Sequence, residues 1–69
     1  MIIYNRLWSL LEEKNISQYK LIKMGISPSV LDRLKHNQGV TTDTIDKLCT
    51  ILDCNVEDIM NYTKDNNNS

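Results

Sequence analysis

The stretch that most constrains this chain is Ser17–Lys35, SQYKLIKMGISPSVLDRLK. It holds two helix starts with little chain between them. Ser17 is a good N-cap, with Gln18 at the first helical position. Ser27 caps a second segment, and Pro28 follows where a missing N–H does no harm. Leu21 and Ile22 give the first segment an apolar face. Val30, Leu31 and Leu34 give the second one at helical spacing, and Gly25 interrupts the pattern between them. Two short helices joined by a tight turn are expected, over residues 18–24 and 28–35.

The flanking chain continues in the same period. Ile3, Leu7, Leu10 and Leu11, with Trp8 beside them, mark an amphipathic first helix over 3–14. Arg6, Glu12, Glu13 and Lys14 take its wet side, and Asn15 is its stop. The segment 36–40, HNQGV, is a loop of turn formers. Thr41 then caps a fourth helix over 42–52, with Ile45, Leu48, Cys49, Ile51 and Leu52 as its buried stripe. Asp43 in its first turn complements the helix dipole. Asp53 and Cys54 end that helix. Asn55 and Asp58 have the spacing of a capping box, and Val56, Ile59 and Met60 mark a short fifth helix over 56–61. Trp8 and Met24 are expected in the core. The last residues, 63–69, TKDNNNS, lack apolar content and are expected to be a disordered tail behind a single domain of residues 1–62.

Composition narrows the alternatives. Two Gly and one Pro in 69 residues are too few for a turn-rich all-β fold, so the expected class is all-α, with five helices. With no Phe, the core must be mainly Leu, Ile, Val and Met. A chain below ~70–80 residues has one small core and little room for a walled active site. No nucleophile–base pair, carboxylate pair or phosphate loop is visible, so no enzyme and no cofactor are expected. Cys49 and Cys54 are not at metal-ligand spacing, and His36 is the lone His. No metal is expected, and both Cys are read as reduced fillers of small apolar spaces, with Cys49 buried and inert. No signal-peptide pattern is visible and no apolar run approaches the ~20 residues of a membrane span. The expected location is cytoplasmic.

The net charge is −1, yet it is unevenly distributed. Residues 1–40 carry six Lys/Arg against three acids, whereas residues 41–69 carry two Lys against six acids. The basic half contains the second capped helix, whose outer face holds Pro28, Ser29, Asp32, Arg33 and Lys35. A surface helix with small polar and basic residues outward suits the major groove of DNA. The alternative is that these charge runs are simply solvated faces.

Four pieces of the chain, in order, resemble one family: SQYKL (17–21), GISPSVLDRLK (25–35), VTTDTIDKLCTILDC (40–54) and NVEDIM (55–60). Together they resemble the Cro/repressor-type, lambda-repressor-like (Xre-like) helix-turn-helix domain over residues 3–62. One departure is a turn shorter by one residue between Ile22 and Gly25. The resemblance implies that the second helix of the motif lies in the major groove, with Pro28, Ser29, Asp32 and Arg33 as its readers and Ser27 at its start. Arg33 can fork onto guanine O6 and N7, Ser29 can donate or accept, Pro28 can touch a thymine methyl, and Asp32 can accept from cytosine. For Arg33 the alternative is a surface ion pair with Asp32 or an acid of the fourth helix. Gln18 matches a family position that grips a phosphate. Tyr19 packs on the motif or reaches a phosphate. Lys35, His36, Asn37 and Gln38 are read as backbone contacts, or else as a plain polar loop.

The expectation is therefore a sequence-specific regulator of double-stranded DNA, a repressor occupying an operator. One small domain contacts few base pairs, so a homodimer on two half-sites is expected, with Ile59, Met60 and Tyr62 as candidate contacts. The competing reading is a protein-interaction module on the same fold, such as an antirepressor, an antitoxin or part of a phage or plasmid control switch. The low total charge and Pro28 on the reading helix favour that second reading.

Overall fold

The computed structural model describes residues 1–64. Among the described residues there are four α-helices, one turn of 3-10 helix and a two-stranded ribbon. In order these are β1 (Ile2–Ile3), α1 (Asn5–Glu13), α2 (Gln18–Lys23), α3 (Pro28–Lys35), α4 (Thr42–Leu52), the 3-10 turn Val56–Asp58 and β2 (Asn61–Tyr62). The all-α class holds, but the fifth helix is a single turn and the first starts later than its periodicity indicated.

Local chemistry explains where three helices begin. The hydroxyls of Ser17, Ser27 and Thr41 accept from the backbone N–H three residues on, at 3.0 to 3.2 Å, with extended backbone at each cap. Each cap satisfies one of the orphan donors of a helix start.

The helix ends follow one rule as well. Asn15, Gly25, Asn37 and Asp53 all have positive φ just past α1, α2, α3 and α4. The next residue then donates its N–H to the carbonyl five back: Ile16 to Leu11, Ile26 to Leu21, Gln38 to Arg33 and Cys54 to Cys49. This left-handed closure satisfies the last carbonyls and redirects the chain. At α1, α2 and α4 it also turns an apolar residue (Ile16, Ile26, Cys54) into or against the core. Met24 therefore lies on the outside of the α2 turn, 38% exposed, because Ile26 takes the inward place expected for it.

The core combines Leu7, Leu11, Leu21, Ile26, Leu31, Leu34, Ile45, Leu48, Leu52 and Ile59 with Tyr4, whose burial the periodicity did not indicate. Trp8, Cys49 and Cys54 pack against it half-buried, so Cys49 is less enclosed than its place on the α4 stripe implied.

The ends of the chain meet. Ile2 pairs with Tyr62 and Ile3 with Asn61 in antiparallel register. The Thr63 N–H donates to the Met1 carbonyl at 2.8 Å, and the Met1 amino group returns a bond to the Thr63 carbonyl. Ile3 thus belongs to a strand. A single helical turn fixes three residues for one hydrogen bond and is unfavourable alone. The chain after Ile59 instead satisfies its backbone by pairing across the ribbon. The Asn55 N–H does donate to Asp58 Oδ2 at 3.0 Å, so the capping box forms, but it closes only the 3-10 turn. Of the tail expected over 63–69, Thr63 is tied to Met1, and residues 65–69 lie outside the described residues.

Candidate nucleic-acid interface

The turn between α2 and α3 is closed from both sides. Gly25 has φ +117, and its N–H donates to the Ile22 carbonyl at 3.0 Å while Ile26 bonds back to Leu21. The Gly25 and Ile26 N–H groups are thus both satisfied by carbonyls of α2. A second constraint comes from α4. A Cβ on Gly25 would lie 3.1 Å from Lys47 Cε and 3.2 Å from its Nζ. Lys47 belongs by sequence to the acidic half, yet its ammonium sits over the turn of the basic half.

From this turn α3 runs with Leu31 and Leu34 buried, Val30 half-buried and Pro28, Ser29, Asp32, Arg33 and Lys35 exposed. The helix is amphipathic and anchored by its inner leucines, so its polar side is held rigidly outward. The Ser27 hydroxyl caps α3 and is hydrogen-bonded to that of Ser29 at 3.3 Å. Among the described residues Arg33 makes no ion pair, and its guanidinium offers planar donors to a partner. Asp32 instead faces His36. The His36 Nδ1 lies 2.8 Å from the Asp32 carbonyl oxygen and 3.6 Å from its carboxylate. That places the acid of the outer face beside a group that becomes cationic when protonated.

On α2, Gln18 and Tyr19 are exposed, Tyr19 at 67%. The Lys23 ammonium lies 4.9 Å from the Tyr19 ring centroid, a cation–π contact along one face of the helix. Arg6 of the basic half is engaged elsewhere, donating to the Glu57 carbonyl at 3.3 Å.

The loop after α3 does more than was expected of it. Asn37 is half-buried, and its side-chain oxygen accepts from the Tyr4 N–H at 3.1 Å. Gln38 is exposed, and its carbonyl accepts from the Tyr4 hydroxyl at 3.2 Å. Burial raises the Tyr4 pKa above its ordinary value of 10.0, which keeps the hydroxyl a donor. Neither Tyr4 nor Lys47 stood out in the sequence, because no periodicity or motif marks a contact between residues more than 20 apart in the chain.

Of the three residues expected at a dimer contact, Ile59 is corrected: it is 0% exposed and belongs to the core. Met60 is half-buried. Tyr62 is 69% exposed and stands beside exposed Met1 and Ile2 on the ribbon. No His, Cys, Asp and Glu side chains gather in a group of three or more among the described residues. Among the described residues no helix is long and apolar enough to cross a membrane.

The family model of the Cro/C1-type HTH DNA-binding domain matches residues 6–65, which takes in all of α1 but its first residue and everything from there through β2. The chain belongs to the Cro/C1-type HTH DNA-binding domain family. No curated protein sequence matches it. A solved structure, that of the transcriptional regulator VanUg, superposes with a TM-score of 0.86 at 28% identity. The match covers 93% of this chain and 87% of that one.

Proposed function

We propose that this Cro/C1-type domain is a sequence-specific, double-stranded-DNA-binding transcriptional regulator, and a repressor that acts by occupying an operator. The observation that carries the reading is the outer face of α3: Ser29, Asp32 and Arg33 exposed on a helix fixed by two buried leucines, with Arg33 free of ion pairs among the described residues. The likeness to VanUg, a transcriptional regulator, supports it. In this reading Arg33 and Ser29 read base edges, Pro28 adds apolar contact, and Ser27, Gln18, Tyr19, Lys35 and His36 hold phosphates. Lys47 joins them at the turn. A homodimer on two half-sites supplies useful affinity, with Tyr62 and Met60 as contacts.

Selection of a binding site from random DNA is the first experiment. On the selected site, Arg33→Ala is expected to cost about 1–3 kcal/mol and relax the preference at one base pair. Lys35→Ala is expected to weaken all sequences alike and lower the salt slope by about one unit. Equal loss from Arg33→Ala on selected and scrambled DNA would make Arg33 a phosphate contact.

The second reading, a protein-interaction module, is favoured by one observation: the net charge of −1, with Asp32 on the very face that would meet the polyanion. A chain that retards no DNA at low salt, and whose α3 variants leave that unchanged, would put this reading first.

A further inference from the structure

The end of α3 differs from the other helix ends. At α1, α2 and α4 the residue after the left-handed one is apolar and packs on the core, which locks the closure. At α3 that residue is Gln38, polar and exposed. Its place is held from outside the helix, by Tyr4. The buried Tyr4 ring (3% exposed) brings its hydroxyl to the Gln38 carbonyl and its N–H to the Asn37 side chain, one bond from each end of the residue. Tyr4 is also the residue between β1 and α1, so the strand of the ribbon runs straight into this contact.

We propose that Tyr4 and Asn37 form a clasp that positions the exit of α3 for DNA, and that through Tyr4 the clasp links the ribbon to the reading helix. The proposal rests on the DNA-binding reading above. Neither residue needs to touch a base. The clasp sets the angle at which α3 leaves the fold, and so whether Arg33 and Lys35 meet groove and backbone together. Interactions that require simultaneous fit are lost when an anchor loosens, while the diffuse attraction to phosphates is kept. Loosening the clasp therefore lowers discrimination more than it lowers binding.

The test compares Tyr4→Phe and Asn37→Gly with the unaltered chain on the selected site and on scrambled DNA. Tyr4→Phe deletes one buried oxygen, and Asn37→Gly keeps the positive φ while removing the acceptor. Each is expected to weaken the selected site about three- to tenfold, the factor that a single hydrogen bond is worth, with less than about twofold change on scrambled DNA. Amide hydrogen exchange at Gln38 is expected to quicken in both variants without DNA. Equal losses on both DNAs, or no loss on either, would overturn the clasp while leaving the DNA-binding reading in place. If the unaltered chain selects no sequence, the DNA-binding reading falls and takes the positioning role with it. Unchanged exchange in Tyr4→Phe would show that the hydroxyl holds nothing. Should Asn37→Gly fail to fold, Tyr4→Phe decides alone.

Discussion

The capped pair α2–α3 and the ribbon β1–β2 are built in opposite ways. In the pair, the caps and the turn are set within about a turn of chain: Ser17 and Ser27 cap, Gly25 turns, and Ile26 closes on Leu21. In the ribbon each decision is made across the whole chain, with Ile2 against Tyr62 and Met1 against Thr63. The lesson is about register. Local closures hold their own geometry, and so suit a helix that must present fixed side chains to a partner. Long-range pairing has no geometry until the rest has folded, yet it brings Tyr4 to the exit of α3.

The comparison breaks most readily at the core. Leu34 on α3 and Ile59 before β2 are both fully buried. Leu34→Ala and Ile59→Ala are each expected to cost about 2–5 kcal/mol in urea unfolding. If Ile59→Ala cost less than about 1 kcal/mol, the C-terminal segment would be an accessory to the helices, and not a part of one cooperative core.

The turn sharpens it next. Gly25→Ala is expected to cost about 1–3 kcal/mol, mainly through backbone strain at φ +117, since the Lys47 end that it meets is flexible. Gly39→Ala meets no atom within 4 Å and should stay within about 0.5 kcal/mol. A pair of equal, small effects would mean that the turn tolerates another conformation.

An effect that only pH reveals lies where α4 closes against the C-terminal segment. Burial pushes the Cys54 thiol up to about 11 from an ordinary 9.0, and the adjacent Cys49 thiol and Asp58 add to this. The folded state thus favours the neutral thiol. Its contribution to stability is full below pH 9 and is lost as the pH rises through 11. Unfolding free energies of the unaltered chain and of Cys54→Ala should therefore converge as the pH is raised across that window. A constant difference would mean that Cys54 ionises as readily folded as unfolded.

Much of the pair was legible in advance. Ser17, Ser27, Thr41, Pro28 and Asn15 act where their chemistry put them, and Leu21, Leu31, Leu34, Ile45, Leu48 and Leu52 are the core faces that the 3.6 period marked. Met24 was misplaced because periodicity cannot say which residue follows a left-handed turn inward. The outer face of α3 was legible as the complement of its buried face, which located Ser29, Asp32 and Arg33 together.

Helix starts, helix ends and apolar stripes follow from the order of residues, because hydrogen-bonded turns and 3.6-residue spacing are short-range physics. The tertiary structure alone decided three things. It turned the helix expected over 56–61 into one turn and the start of a strand, because β1 offers a partner for backbone groups that a one-turn helix leaves unpaired. It carried Lys47 of the acidic half onto the turn of the basic half, because the end of that long side chain reaches the space that a Cβ on Gly25 would fill. It joined Tyr4 to Asn37 and Gln38, because the ribbon and the helices can bring the start of α1 beside the end of α3 only once the core between them has formed.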